Sequence, residues 1–196
     1  NESVQQLQKL KDSLLEDIQQ YSPSFPKILR SPSKDGHLLV VDPADIHIGK
    51  LADSFETGED YNNQIAVKRV KEGVQGILDK ASGFKIDQIL FIGGNDILHI
   101  DQPGATTAGT RQDVEGMWYS NFLIAKNLYV DVLEILIAVA PVHYTFNPSN
   151  HDMMSGFFLS DVIKTWFKNC DDITFDCSMA HRKSYTYGKN LIGTTH

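Results

Sequence analysis

A group of residues that bind metal ions or transfer protons follows an apolar segment near the middle of the chain. That segment, Ile89–Ile92, has the length and branching of a buried strand, and two glycines end it. The residues that come next carry amide, carboxylate and imidazole groups: Asn95, Asp96, His99 and Asp101. Because open α/β sheets bind ligands just beyond the carboxyl ends of their strands, we expect Asp96 to lie in such a site. Taken alone, the stretch also fits a strand-to-helix turn in which Asn or Asp caps the helix.

A second pair of candidate ligands follows the first predicted strand, His37–Val41. Asp45 and His47 alternate with Ile46 in a segment that we expect to be extended, so both side chains should point to one side. A carboxylate and an imidazole together suit zinc or another transition metal. A single Asp-x-His pair is common by chance, so this motif gains weight only beside the others.

The same arrangement recurs twice towards the end of the chain. The predicted strand Val142–Phe146 is followed by Asn150 and His151, and His196 follows the apolar pair Leu191–Ile192. Asp152, next to His151, is expected to cap a turn or to support a ligand. Because the carboxyl ends of neighbouring strands can meet at one edge of a sheet, four strand ends could deliver their polar groups to one place.

A loop rich in Gly, Thr and Ala, residues 102–112, follows the central cluster. Its backbone amides, its threonine hydroxyls (Thr107 among them) and the guanidinium of Arg111 could contact a phosphate group. A solvated loop without a ligand is the alternative interpretation.

The strands need connections that place their ends together, and the sequence predicts helices for that purpose. Apolar periodicity predicts helices over about 64–81, 113–139 and 153–166. The first of them makes a βαβ crossover between parallel strands. In the second helix, apolar side chains at helical spacing are expected in the core: Trp118, Phe122, Leu128, Leu133 and Ile137. Short strands are predicted at 173–176, 183–187 and 191–192, with a hairpin turn at 187–190.

The N-terminal part of the chain has a different character. Residues 2–20 predict an amphipathic helix, and a stretch rich in Pro, Ser and Gly follows it up to Gly36. We therefore expect an N-terminal helix and linker over residues 1–35 and a separate domain over 36–196. The helix could mediate homo-oligomerisation or bind a partner protein, and packing on its own domain is the alternative.

Composition limits the classes of function. A chain of 196 residues with 41% hydrophobic and 22% charged residues is typical of one globular domain, and no apolar run has the length of a membrane span. The net charge of -7 argues against a protein that wraps a polyanion in lysines, although it does not exclude a phosphate substrate at a site that holds cations. Two cysteines without a disulfide framework favour the cytoplasm.

Together, the motifs Asp45-x-His47, Gly94-Asn95-Asp96, Asn150-His151-Asp152 and Thr195-His196 resemble those of the calcineurin-like metallophosphoesterases. The resemblance covers about residues 37–196. It implies an α/β fold of the four-layer αββα type, with helices outside two facing sheets. It also implies hydrolysis of a phosphodiester or phosphomonoester by two divalent metal ions, manganese first, with iron, zinc or nickel as alternatives. The stretches GNDxxHxD and TTAGT are similar to phage and prophage phosphoesterases, which implies the host cytoplasm if the protein is phage-encoded.

The resemblance implies a role for each matching residue. Asp45 and His47 would bind one metal, and Asp96 would bridge both. Asn150 would bind the second metal, and His196 matches a further metal-binding histidine. His151 would face the scissile phosphate as the acid for the leaving group or as a stabilising donor. Asp101 is expected to orient that histidine, and the candidates for substrate contact are Asn95, His99, Thr107 and Arg111.

Departures from the family pattern keep other functions open. Asn95 and Ser149 stand where the family usually has glycine, and its final Gly-His-x-His motif is absent. We therefore expect a domain that is incomplete at its C-terminus and that could be inactive by itself. A DNA exo- or endonuclease is the first expectation for the substrate, and a phosphatase acting on a small or protein substrate is the alternative. A non-catalytic scaffold or assembly subunit that retains the fold is the alternative of another class.

Overall fold

The computed structural model of the chain describes residues 8–9, 23–30 and 35–196. Its first sheet has four parallel strands in the order β1 (His37–Val41), β2 (Ile86–Gly94), β3 (Val142–Asn147) and β4 (Ile173–Asp176). The helices are α1 (Ser54–Thr57), α2 (Asn63–Ala81), α3 (Trp118–Val139) and α4 (Met153–Trp166). A hairpin of β5 (Arg182–Tyr187) and β6 (Asn190–Thr195) forms a second, antiparallel sheet. The fold is therefore mixed α/β, as predicted.

The three longer helices share one face of the parallel sheet. Alternate residues of the two central strands, among them Ile89 and Phe91 on β2 and Tyr144 on β3, form one hydrophobic core with residues of α2, α3 and α4. The same-face alternation follows from the strand register, in which Ile89 pairs with Val142 and Phe91 with Tyr144. Parallel strands joined by helical crossovers of one hand place the helices in this way.

The hairpin packs on the other face of the sheet. The ring of Tyr185 stacks on His143 of β3 with centroids 4.8 Å apart, and the hydroxyl of Tyr187 donates a 2.6 Å hydrogen bond to Asp87 of β2. At the far end of the hairpin, Thr194 donates to the side chain of Asn147, 3.1 Å away. The hairpin therefore contacts β2 and β3, and β6 ends beside the carboxyl end of β3.

The segment 23–30, predicted as linker, packs on the domain although it has no regular secondary structure. The ring of Phe25 lies 5.1 Å from that of Phe167, and Arg30 forms an ion pair with Asp172 and donates to the carbonyl of Ile137. The predicted amphipathic helix over residues 2–20 lies, apart from Gln8 and Lys9, outside the described residues. In the part of the chain that is described, no helix combines the length and the apolar character that crossing a bilayer requires.

Two details of the predicted elements were wrong. The long helix α3 begins at Trp118 rather than Asp113, because residues 113–117 form a loop whose Glu115 N–H bonds to the carbonyl of Gly49 at 2.8 Å. The side chain of Trp118 is consequently 63% exposed and outside the core, whereas Leu128, Leu133 and Ile137 are buried as expected. Trp118 is exposed because it is the first residue of α3, and the buried residues of that helix begin only at Asn121.

Candidate metal centre

Three loops at the carboxyl ends of β1, β2 and β3 build the site, and two of them have an unusual backbone. Among the described residues, the non-glycine residues with positive φ are Asp45 at 55°, His47 at 49°, Asn95 at 49° and Asp96 at 63°. The prediction that Asp45 and His47 lie in an extended segment was therefore wrong. Left-handed backbone is uncommon outside glycine, and its concentration at one place is typical of a functional site.

Backbone hydrogen bonds explain this conformation, because they join the first two loops residue by residue. The N–H of Asp45 donates to the carbonyl of Asn95 and that of His47 to the carbonyl of Asp96, both at 2.9 Å. Two further bonds extend this ladder of main-chain hydrogen bonds: the N–H of Ile48 donates to the carbonyl of Ile97, and the N–H of His99 donates to the carbonyl of Ile48. Each left-handed residue turns its peptide towards the neighbouring loop, so the side chains at 45, 47 and 96 meet although they do not lie on strands.

Side chains join the third loop to the second. The hydroxyl of Ser149 accepts a 3.1 Å hydrogen bond from Asp96 N–H and donates to Asp152, whose other oxygen accepts from Leu98 N–H at 2.8 Å. Burial raises the pKa of Asp152 to about 7, against the bonds from Ser149 and Leu98, which lower it. Asp152 thus joins the second and third loops, and Ser149 supplies a hydrogen bond that glycine could not.

The first predicted ligand group is present. Asp45, His47 and Asp96, which we call the carboxylate group, each offer an atom within 4.8 Å of the others. The Nε2 atom of His47 lies 3.6 Å from the Oδ1 atom of Asp45. Asp96 is buried, whereas the side chain of Asp45 is 76% exposed, so the group opens to solvent on one side. These residues are close enough to hold a metal ion.

Asp96 also reaches the second predicted pair. Its Oδ2 atom lies 3.7 Å from Nε2 of His196, which in turn lies 2.7 Å from Oδ1 of Asn150. Because the amide oxygen can only accept, that nitrogen of His196 carries a hydrogen in this arrangement. Asp96 therefore stands between Asp45 and His47 on one side and Asn150 and His196 on the other.

Three imidazoles form a further cluster, which we call the histidine group: His47, His99 and His151. Their ring centroids are 4.6 to 5.3 Å apart, and each ring offers a nitrogen within 4.8 Å of the others. Burial and the neighbouring His151 lower the pKa of His47, and burial and His47 lower the pKa of His99 to about 4. His99 was first predicted as a group that binds metal or transfers protons, and then as a substrate contact, because it matches no ligand position of the resembling family.

The group that orients His151 is not the one that was predicted. The Nδ1 atom of this histidine lies 2.9 Å from the carbonyl oxygen of His99 and must donate to it, so Nε2 keeps the lone pair of the neutral ring. Asp101, expected to orient this histidine, instead accepts from the N–H groups of Met154 at 3.1 Å and Ser155 at 2.7 Å. It caps the N-terminus of α4, and a backbone carbonyl orients His151.

The predicted substrate contacts are engaged within the protein. Thr107 donates to Asp101 at 2.8 Å and accepts from Met153 N–H at 3.2 Å, which leaves its hydroxyl no hydrogen for a substrate oxygen. The buried amide of Asn95 donates through its nitrogen to Asp42 at 3.2 Å, while its oxygen has no hydrogen-bond partner among the described residues. Arg111 is exposed and donates to the carbonyl of Pro103 at 3.4 Å.

A cleft next to the carboxylate group contains cations that the sequence did not single out. It encloses about 550 Å³, and its lining includes Asp45, His47, Lys50, Tyr61 and Arg69. The ammonium of Lys50 lies 5.7 Å from the centre of the Tyr61 ring, and Arg69 lies 5.5 Å from it. Lys50 comes three residues after His47, but no family motif includes it, so only the fold associates it with the site.

Comparisons with known proteins add no relative to this geometry. Neither a scan against protein-family models nor a search of curated proteins found a match to the chain.

Proposed function

We propose that this protein is a metal-dependent hydrolase of phosphate esters, of the kind that the motif resemblance implies. The observation that carries the proposal is the position of Asp96, a buried carboxylate between two pairs of further candidate ligands. A carboxylate has two oxygens and can bridge two metal ions, which proteins hold about 3.5–4 Å apart in such centres. All three residues of the carboxylate group have left-handed backbone, which supports a functional rather than a purely structural role for the group.

The donor atoms fit the ions that we expect. The carboxylate group and the pair Asn150–His196 offer carboxylate, amide and imidazole donors, while both cysteines lie outside these groups. Oxygen and imidazole donors suit manganese, iron, zinc or nickel better than a soft metal. When bound, such ions supply a hydroxide nucleophile at neutral pH and neutralise charge on the phosphoryl oxygens.

The protein's own residues would perform the remaining tasks. His151 donates through Nδ1 to the carbonyl of His99, so its Nε2 is free to hold or accept a proton at the leaving oxygen. The adjoining cleft is lined by two cations, Lys50 and Arg69, and by three carboxylates, Asp45, Glu59 and Asp60, so only an individual cation could attract an anionic substrate. Arg69 is also paired with Glu59 at 2.7 Å, so Lys50 is the better candidate for direct contact with a phosphate.

The layering of the fold agrees with this proposal. Helices cover one face of the parallel sheet, and the hairpin begins a second sheet on the other face. We infer that the domain belongs to the four-layer αββα type, with the hairpin as part of the second inner sheet.

The decisive experiment measures hydrolysis of a small bis-ester, bis-p-nitrophenyl phosphate, with Mn²⁺. With the complete domain present, wild type should be active, and Asp96→Asn should lose at least about 100-fold in kcat, a loss that removal of a major electrostatic contact typically causes. Asp161→Asn is the matched control, because Asp161 is an exposed carboxylate on α4. Retained activity in Asp96→Asn would show that the bridge lies elsewhere.

The same assay separates the substrate classes. A diesterase or nuclease should cleave the bis-ester and single-stranded DNA, whereas a phosphatase should prefer p-nitrophenyl phosphate. If calorimetry detects no binding of Mn²⁺, Zn²⁺ or Ni²⁺ by the wild-type protein, the hydrolase is excluded and a non-catalytic scaffold remains.

A further inference from the structure

The geometry points to a second, alternative metal site in the histidine group, one that takes zinc or a similar borderline ion and competes with the carboxylate group for His47. We propose that zinc binds to His47, His99 and His151 and thereby regulates the centre. The competition rests on the proposed function of the carboxylate group. The existence of the zinc site does not.

The separation of two ring nitrogens supports this site. Nδ1 of His47 and Nδ1 of His99 are 3.4 Å apart, longer than an ordinary N–H hydrogen bond of roughly 2.7–3.2 Å. Two nitrogen ligands of a tetrahedral zinc ion lie about 3.3 Å apart, given Zn–N bonds of about 2.0–2.1 Å. The distance therefore suits two ligands of one ion better than a donor and an acceptor.

The third imidazole has the orientation that metal-binding histidines usually have. Its Nδ1–H donates to the carbonyl of His99, which fixes the ring and leaves Nε2 as the ligand atom. The His151 ring lies 4.6 Å from that of His47, centre to centre. Three imidazoles without a carboxylate suit zinc, copper, cobalt or nickel, while Mn²⁺ prefers the oxygen-rich carboxylate group.

His47 belongs to both groups but can serve only one at a time. Its Nε2 atom faces Asp45 at 3.6 Å, and its Nδ1 atom faces His99 at 3.4 Å. A neutral imidazole has a lone pair on one nitrogen and a hydrogen on the other. An ion in the carboxylate group needs the lone pair on Nε2, whereas zinc in the histidine group needs it on Nδ1. Binding at the two groups should therefore be mutually exclusive, through the choice of tautomer.

Two substitutions separate the groups, because each removes a residue that belongs to one group only. Metal-free protein is titrated with Zn²⁺ against a chromophoric chelator and, separately, with Mn²⁺ by calorimetry, without substrate. His99→Asn should weaken Zn²⁺ binding by more than about 100-fold, the upper end of what indirect changes around a metal cost. Asp45→Asn should weaken Mn²⁺ binding while its Zn²⁺ affinity stays within about threefold. His181→Asn, an exposed histidine on the hairpin side, is the control.

Several results would overturn the inference. If His99→Asn binds Zn²⁺ as tightly as wild type, the histidine group is not a zinc site. If Asp45→Asn loses as much Zn²⁺ affinity as His99→Asn, the two groups form one shared site. Saturating Zn²⁺ should weaken Mn²⁺ binding by more than about tenfold in wild type, the size of a typical coupling between sites. Equal displacement of Mn²⁺ by Zn²⁺ in His99→Asn would reject the competition.

A measurement on the wild-type protein guards against a variant that fails to fold. On addition of Zn²⁺, ¹⁵N spectra of the imidazoles should report coordination at Nδ1 of His47 and of His99, with His143 unchanged. Coordination of His47 through Nε2 would contradict the inference. Because none of these readouts measures hydrolysis, an inactive protein could still have the zinc site, and an active one could lack it.

Discussion

The Oδ1 atom of Asp96 accepts a hydrogen bond from the backbone N–H of His151, 3.1 Å away. One carboxylate oxygen thus holds the third loop against the second, while the other oxygen lies 3.7 Å from Nε2 of His196. The residue that we expect to bridge two ions is also a structural link between the loops that hold them. Substitutions at this position therefore test two roles at once.

Asparagine and alanine at position 96 should separate these roles. Asp96→Asn keeps an oxygen that can accept from His151 N–H and tolerates the positive φ, so we expect little loss of stability but loss of Mn²⁺ binding. Asp96→Ala leaves the partly buried N–H of His151 unpaired and should lower the free energy of unfolding by about 1–2 kcal/mol. Urea unfolding and calorimetry on both variants give the comparison, and equal stability of the two would contradict the link.

Asp101 should contribute to stability through α4 rather than to metal binding. Asp101→Ala removes the acceptor for two N–H groups at the helix start, and a lost helix cap costs about 0.5–2 kcal/mol. Asp161→Ala, on the same helix but away from its end, should change stability by less than about 0.5 kcal/mol. Loss of Mn²⁺ binding in a folded Asp101→Ala protein would restore the role of orienting the site.

Gly94 should tolerate no side chain. Its φ is 84°, and an added Cβ atom would collide with the carbonyl oxygen of Asn147 and contact the ring of Phe146. Gly94→Ala should therefore lower the free energy of unfolding by about 4 kcal/mol or more, in the range of exceptional substitutions. Gly83→Ala is the control, because nothing lies within 4 Å of a Cβ there. Thermal unfolding of both proteins checks the prediction.

Cys177 should react slowly with alkylating reagents at neutral pH. Burial raises the pKa of its thiol from the ordinary 9.0 to about 11, and the thiolate is the reactive form. Because burial disfavours the charged thiolate, the thiolate fraction of Cys177 at pH 8 should be about 100-fold smaller in the folded protein than in the unfolded chain. The rate with iodoacetamide should keep rising between pH 9 and 11 in folded Cys170→Ser protein, but level off near pH 9 in urea. A reaction rate that levels off near pH 9 in both the folded and the unfolded protein would contradict the raised pKa of Cys177.

The strands and helices could be predicted because their signals are local. Periodicity predicted α4 with the bounds that the structure has, and the apolar run Ile89–Ile92 predicted the central part of β2, which extends over Ile86–Gly94. The start of α3 was missed because Glu115 binds Gly49, a residue far away in sequence. Such tertiary bonds leave no trace in periodicity.

The residues of the site were easier to predict than their geometry. Asp45, His47 and Asp96 do meet, but through left-handed turns that depend on bonds between two loops. The roles of Asp101 and His99 were mispredicted for a similar reason. The carboxylate of Asp101 accepts hydrogen bonds at the start of α4, whereas the fold brings the imidazole of His99 next to His47. A motif identifies side chains, whereas the direction in which each one points depends on its neighbours in the fold.

The ladder between residues 45–48 and 95–99 has a consequence for how this centre could change. Its bonds run between main-chain atoms only, so the two loops restrict their residues chiefly through the positive φ at 45, 47, 95 and 96, which Asp, Asn and His tolerate. The candidate ligands at 45 and 47 can therefore be exchanged among Asp, Asn and His, and position 99, whose φ is not positive, accepts a wider choice, without loss of the frame that orients them. The chain offers a scaffold on which metal preference could be redesigned, or could drift during evolution, one side chain at a time.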